Sequence, residues 1–182
     1  MKNLKNIRTM ILLSFFIALS VVVSKFFSIT TMSQKVGLGF IVTALMCSIF
    51  NPSLAVIASI IIDLVANLLF PTPGGFYLPF VITKIASALI YTFFLYRKEI
   101  TRKNIICATT LNTLITSLFL NTIWVSQLTG NPFISQFLLR IPSMAFNYVL
   151  HTIVLVIILP KLARLLRNEV KRLGAQPENA PY

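Results

Sequence analysis

The chain has 182 residues, 57% hydrophobic and 11% charged, with sixteen Lys and Arg against four Asp and Glu and a net charge of +12; its mean hydropathy is +0.86. That is far more apolar surface than one soluble core can bury, so the composition excludes a soluble globular domain and defines an integral membrane protein. Cys47 and Cys107 stand far apart with no CxxC or metal-ligand spacing, and the sequence predicts no disulfide, no metal and no cofactor.

Apolar segments at about 9–27, 36–50, 53–70, 77–96, 103–125 and 134–160 are separated by Ser-Gln-Lys, Asn-Pro, Pro-Thr-Pro-Gly-Gly, a charged loop and Thr-Gly-Asn-Pro. They predict an all-α membrane domain of six transmembrane helices over 1–172 and a flexible C-terminal tail over 173–182. The first segment is long, lacks a clean small-x-small cleavage pattern and is followed by further spans, so it reads as a helix rather than a cleaved leader. The second is short, and its start, GLGFIVTAL, carries two glycines in a stretch open to partial unwinding.

Orientation follows from the basic residues. Lys2, Lys5 and Arg8 precede the first helix; Arg97, Lys98, Arg102 and Lys103 fill the loop between the fourth and fifth; Lys161, Arg164, Arg167, Lys171 and Arg172 follow the sixth. With six spans these share one side, which the positive-inside rule makes cytoplasmic, together with both termini. The net charge is then mostly topology, and no nucleic-acid partner is expected, although the segment KLARLLRNEVKRL can touch anionic membrane lipid or a protein partner.

Lys25, Lys35, Lys84 and Arg140 violate that rule. At a rise of about 1.5 Å per residue, Lys84 lies roughly 20 Å and Trp124 roughly 30 Å from the basic ends of their helices, and all four cations can converge on one outward-facing region. One reading is snorkelling, with Lys25 and Arg140 lifting their heads into the lipid headgroups and Trp124 as an interfacial anchor. Lys84 fits it worst, because an ionised side chain among FVIT and IASALIY costs about 3 kcal/mol unless it is paired or lines a wet cavity. Asp63 has a similar depth, so a Lys84–Asp63 pair is one alternative and an anionic ligand the other.

Arg140, Asn147 and His151 recur at spacings of seven and four, one helical face, while Asn121 and Trp124 stand one turn apart on the preceding helix. Such a hairpin can offer an aromatic plate, amides and a guanidinium fork to a solute with a flat ring and a carboxylate. His151 reads first as a packed histidine. One His and four acids, three of them on the basic side, give no nucleophile, base or metal set, so no enzyme is expected.

The order LSVVVSKFFSITT, VGLGFIVTAL, IIIDLVANLLFPTPGGFYLPF and LNTIWVSQLTGNPFISQFLLRIP, over residues 9 to 160, resembles the substrate-binding S component of energy-coupling factor (ECF) vitamin transporters. The D-x-x-x-N from Asp63 to Asn67 and the FPTPGGF loop are shared with S components generally, and LNT-x-W, GNPF and LLR resemble the folate-specific branch. Lys25 stands where many folate members carry an arginine, a departure that weakens or moves one carboxylate clamp.

The resemblance implies six helices with an outward cavity capped by the loop after the first, in the plasma membrane of a bacterium. It also implies a transmembrane coupling subunit and two cytoplasmic ATPase subunits as partners. Independently, the chain has no GxxxxGK[ST] phosphate loop, so active transport requires ATP hydrolysis elsewhere. Folate, a pterin and an aminobenzoyl ring joined to a glutamate, has two carboxylates for Lys25, Lys35, Lys84 or Arg140 and rings for Trp124, Tyr77 or Phe76. Asn121, Asn147, Asp63 or Asn67 can meet the pterin edge. Ser14 and Ala18 on the first helix are the expected coupling contact, with intrachain packing as the alternative use of such small residues. The rival functions are an S component for another water-soluble vitamin and a standalone small-solute permease.

Overall fold

The protein is described here by a computed structural model covering residues 7–26, 28–31, 34–70 and 77–172, so the expected tail lies outside the described residues. In chain order the elements are α1 (Ile7–Phe26), β1 (Ser28–Thr31), β2 (Gln34–Gly37), α2 (Gly39–Ile49), α3 (Pro52–Leu69), α4 (Pro79–Leu95), α5 (Arg102–Thr129) and α6 (Phe133–Arg172). Six helices form the bundle. Four of them, α1, α3, α5 and α6, are long and apolar enough to cross a membrane, while α2 with 11 residues and α4 with 17 are shorter.

Local chemistry explains the boundaries. Pro52 and Pro79 open α3 and α4, where a missing N–H leaves no carbonyl unpaired. Gly130, with φ of 69°, stops α5 in the left-handed conformation that glycine adopts most readily. The sixth helix departs from its expected end at residue 160. Pro160 lies inside α6, which runs on to Arg172 because Leu159 and Ala163 are both fully buried and hold the turns on either side of the proline.

The short α2 is the centre of the bundle, with eight of its eleven residues buried. Its length of about 16 Å is half of a hydrocarbon core of about 30 Å. The chain reaches it through a two-stranded antiparallel ribbon, β1 on β2, in which Ser28 faces Gly37 and Thr31 faces Gln34, so an otherwise helical fold has paired strands in the loop after α1. The two glycines of GLGFIVTAL serve close approach rather than unwinding. A Cβ on Gly37 would sit 2.9 Å from the Ser24 carbonyl oxygen, and one on Gly39 would sit 2.7 Å from Ser24 Cβ.

Elsewhere the helices meet through small side chains: Ala44, Ala55, Ala58, Ala88, Ala108 and Ala163 are all fully buried. Several hydroxyl side chains within the bundle bond their own helix, as Ser59 does to Ala55 O at 2.8 Å and Thr92 to Ala88 O at 2.6 Å. Large apolar side chains such as Phe15, Leu64, Phe93, Phe119 and Phe146 point outward, as lipid-facing positions do.

Hydrogen bonds define two ends. At the hairpin end, Lys25 Nζ of α1 donates to Phe70 O, just past α3, at 3.1 Å. At the basic end, the Arg167 guanidinium of α6 donates to Ser48 O at 3.2 Å, Leu95 O at 3.1 Å and Lys98 O at 3.3 Å. It thereby satisfies carbonyls that the last turns of α2 and α4 leave without helical partners. A residue that the sequence assigns to topology alone joins three elements.

Candidate functional site

Each helix turns one polar stripe toward the others. On α3 the stripe is Ser59, Asp63 and Asn67; on α4 it is Thr83, Lys84, Ser87 and Tyr91; on α6 it is Arg140, Met144, Asn147, Tyr148 and His151. These spacings of three, four and seven are those of a single helical face. With Ser20, Ser24 and Lys25 of α1 and Gly39, Phe40 and Thr43 of α2, they enclose a cavity of about 600 Å³ lined by all six helices. A cavity of that size accommodates a drug-sized organic solute.

The wall contributed by α5 depends on an irregularity. Residues Thr113–Leu120 form a π-helix, and Asn112, Thr116 and Asn121 all line the cavity. In a regular α-helix, with about 3.6 residues per turn, Asn112 and Asn121 would be about two and a half turns apart, on opposite faces. The wider i→i+5 turns bring both to the same side, as π segments at functional sites commonly do.

Among the described residues the charged lining is Lys25, Lys84 and Arg140 against Asp63, three cations to one carboxylate. Arg140 is half-buried and donates from Nη1 to the Asn121 carbonyl at 3.0 Å, which leaves other guanidinium donors for an occupant. The alternative of a Lys84–Asp63 pair is not realised: Asp63 Oδ2 is buried without a hydrogen-bond partner, and among the described residues no ion pair joins the two. Asn67 commits its Nδ2 to Asp63 O at 2.8 Å. His151 stacks on Phe40 with ring centroids 3.8 Å apart, and its Nε2 has no hydrogen-bond partner.

Seven of the expected site residues, Lys25, Asp63, Asn67, Lys84, Asn121, Arg140 and Asn147, therefore line one cavity. Trp124 and Tyr77 do not. Trp124 Nε1 donates to Thr83 Oγ1 at 3.1 Å, and Tyr77 Oη donates to Gln127 Oε1 at 3.0 Å, so both tie the start of α4 to the end of α5. Lys35 lies in β2 opposite Thr30, but its side chain, like all of Phe76, is outside the described residues. Ser14 and Ala18 are exposed on the outer face of α1, whereas Ser20 and Ser24 of the same helix face the cavity. The sequence does not single out Tyr91, Asn112 or Tyr148. The π turn that brings Asn112 inward leaves no mark in residue spacing.

An all-helical bundle with a polar, cation-rich chamber enclosed by all its helices defines a membrane-embedded solute-binding protein. A family model described as "ECF-type riboflavin transporter, S component" matches residues 4–164, and the chain belongs to this family of multi-pass ECF S components. A relative, "Folate transporter FolT" of Clostridium novyi (strain NT), is 32% identical over 152 residues, covering 84% of this chain and 88% of its own. The solved structure "Crystal structure of FolT bound with folic acid" superimposes with a TM-score of 0.75 at 28% identity, covering 90% of this chain and 95% of that one.

Proposed function

We propose that the chain is the folate-binding subunit of an ECF-type importer. The observation that carries this reading is the cavity itself, with Lys25, Lys84 and Arg140 set against a single carboxylate among the described residues. The family description names riboflavin and the relatives' names and titles name folate or folic acid. Charge decides between them. Folate carries two carboxylates that the surplus cations offset, whereas riboflavin is neutral and would leave them without a counter-charge. In this reading Arg140 holds a carboxylate with its free donors, Lys84 and Lys25 supply further charge, and Lys35 approaches from the ribbon. Asn121, Asn147 and Asp63 meet polar edges of the ligand, and Asn67 holds the Asp63 turn. Trp124 and Tyr77 brace the wall, and Phe76 belongs to the loop beside it.

The basic end faces the cytoplasm of a bacterium, with both termini there, and the hairpin end faces outward. The chain binds and does no chemistry. A transmembrane coupling subunit and two cytoplasmic ATPase subunits supply the energy, since the sequence lacks a phosphate loop. The exposure of Ser14 and Ala18 supports their use as the coupling contact, because they are not consumed by packing within the chain.

The test is uptake by proteoliposomes. Folate accumulation that requires ATP and all the companion subunits fits the assignment. ATP-independent uptake by this chain alone would favour a standalone permease.

A further inference from the structure

The cavity has two levels of different chemistry. One is marked by Arg140 on the Asn121 carbonyl at 3.0 Å. The other is marked by Asn112, whose Nδ2 approaches the Tyr91 hydroxyl at 3.5 Å. Nine residues of α5 separate Asn121 from Asn112, a distance of at most about 13 Å along the helix. On α4, Lys84 lies seven residues before Tyr91, so it stands about 10 Å nearer the hairpin end. The first level is cationic, and the second offers an amide and phenols without formal charge.

Asn112 is only loosely held. Its Nδ2 contact with Tyr91 is long, and its Oδ1 receives Thr116 Oγ1 only at 3.4 Å. Side-chain hydrogen bonds that fix a packed amide are shorter, and an amide has two donors and an acceptor to place. By contrast the Tyr148 hydroxyl is held by Thr110 Oγ1 at 2.8 Å. The helical irregularity that places Asn112 in the wall thus delivers an amide with capacity to spare.

We propose that Asn112, presented by the π turn of α5 beside Tyr91, determines ligand specificity by hydrogen-bonding the edge of a neutral heterocycle. The ligand then lies with its ring toward the basic end and its anionic end beside Lys84 and Arg140. This rests on the folate assignment and adds the residue that reads the ring. Asn112 matches the donor–acceptor edge of a pterin, which an apolar inner wall would leave unpaired.

The test compares the affinities of detergent-purified Asn112→Leu and Tyr91→Phe for folate, for a pterin lacking the glutamate and for p-aminobenzoyl-glutamate, by competition against labelled folate. Asn112→Leu should weaken folate and the pterin by tenfold or more and leave p-aminobenzoyl-glutamate within twofold. Tyr91→Phe should show the same selectivity with a smaller loss. Melting temperatures of the empty variants accompany the titrations. Unchanged folate affinity in both variants, or equal losses for all three compounds, overturns the inference while the parent protein still binds folate. Failure of the parent to bind folate would instead defeat the assignment on which the inference rests.

Discussion

Arg140 of α6 donates from Nη1 to the backbone carbonyl of Asn121 on α5 at 3.0 Å, and both residues line the cavity. The guanidinium fastens the two helices of the 121–142 hairpin and has further donors for a ligand. Arg140→Ala therefore removes a brace and a charge together. The expected loss of folate affinity is about 2–5 kcal/mol, typical for truncating one member of a desolvated charge pair. Arg140→Lys should recover only part of it, because an ammonium cannot reproduce the planar fork. Titration calorimetry on both variants checks this, and parental affinity in both would make Arg140 an interfacial anchor.

Lys84 and Asp63 face the same cavity without pairing, so their substitutions should act separately. Lys84→Met should leave the melting temperature of the empty protein nearly unchanged and weaken folate more than a pterin lacking the glutamate. Asp63→Asn should raise or preserve stability, since it replaces a buried carboxylate whose Oδ2 has no partner. A double-mutant cycle on melting temperature with a coupling above about 1 kcal/mol would contradict this picture.

Gly37 lies where β2 passes Ser24, and an added Cβ would meet a backbone oxygen at 2.9 Å. The backbone cannot rotate away as a side-chain tip would. Gly37→Ala should displace the ribbon from α1 and weaken folate binding several-fold with a smaller effect on thermal stability. Binding equal to the parent would show that the ribbon tolerates the shift.

Arg167→Gln tests the opposite end of the molecule. It removes a charged donor from the carbonyls of Ser48, Leu95 and Lys98, and the expected cost is on the order of 2 kcal/mol. Thermal denaturation should register that loss while folate affinity stays within twofold, because Arg167 lies outside the cavity lining.

Much of this arrangement is legible in the sequence, for reasons that differ between residues. The helices follow from bilayer-length apolar runs, and the stripe of Arg140, Asn147 and His151 follows from helical periodicity. Lys84 stands out because charge inside a membrane needs a reason. Trp124 reads as an aromatic plate in the sequence, and the structure adds that its indole N–H is held by Thr83, a partner 41 positions away that no local pattern reveals. Arg167 reads as topology in the sequence, since positive-inside counting registers a charge and not where its guanidinium lands. Asn112 is not legible in the sequence because periodicity at 3.6 residues per turn places it on the face opposite Asn121. Only the π turn corrects that placement.

The central claim is that the cations of this cavity serve an anionic vitamin. Titration of the purified chain, without ATP or companion subunits, against folate, riboflavin and thiamine tests it most directly. The account predicts tight, saturable folate binding with at least hundredfold weaker binding of riboflavin and thiamine. Tight riboflavin or thiamine binding in the absence of any folate binding would contradict it.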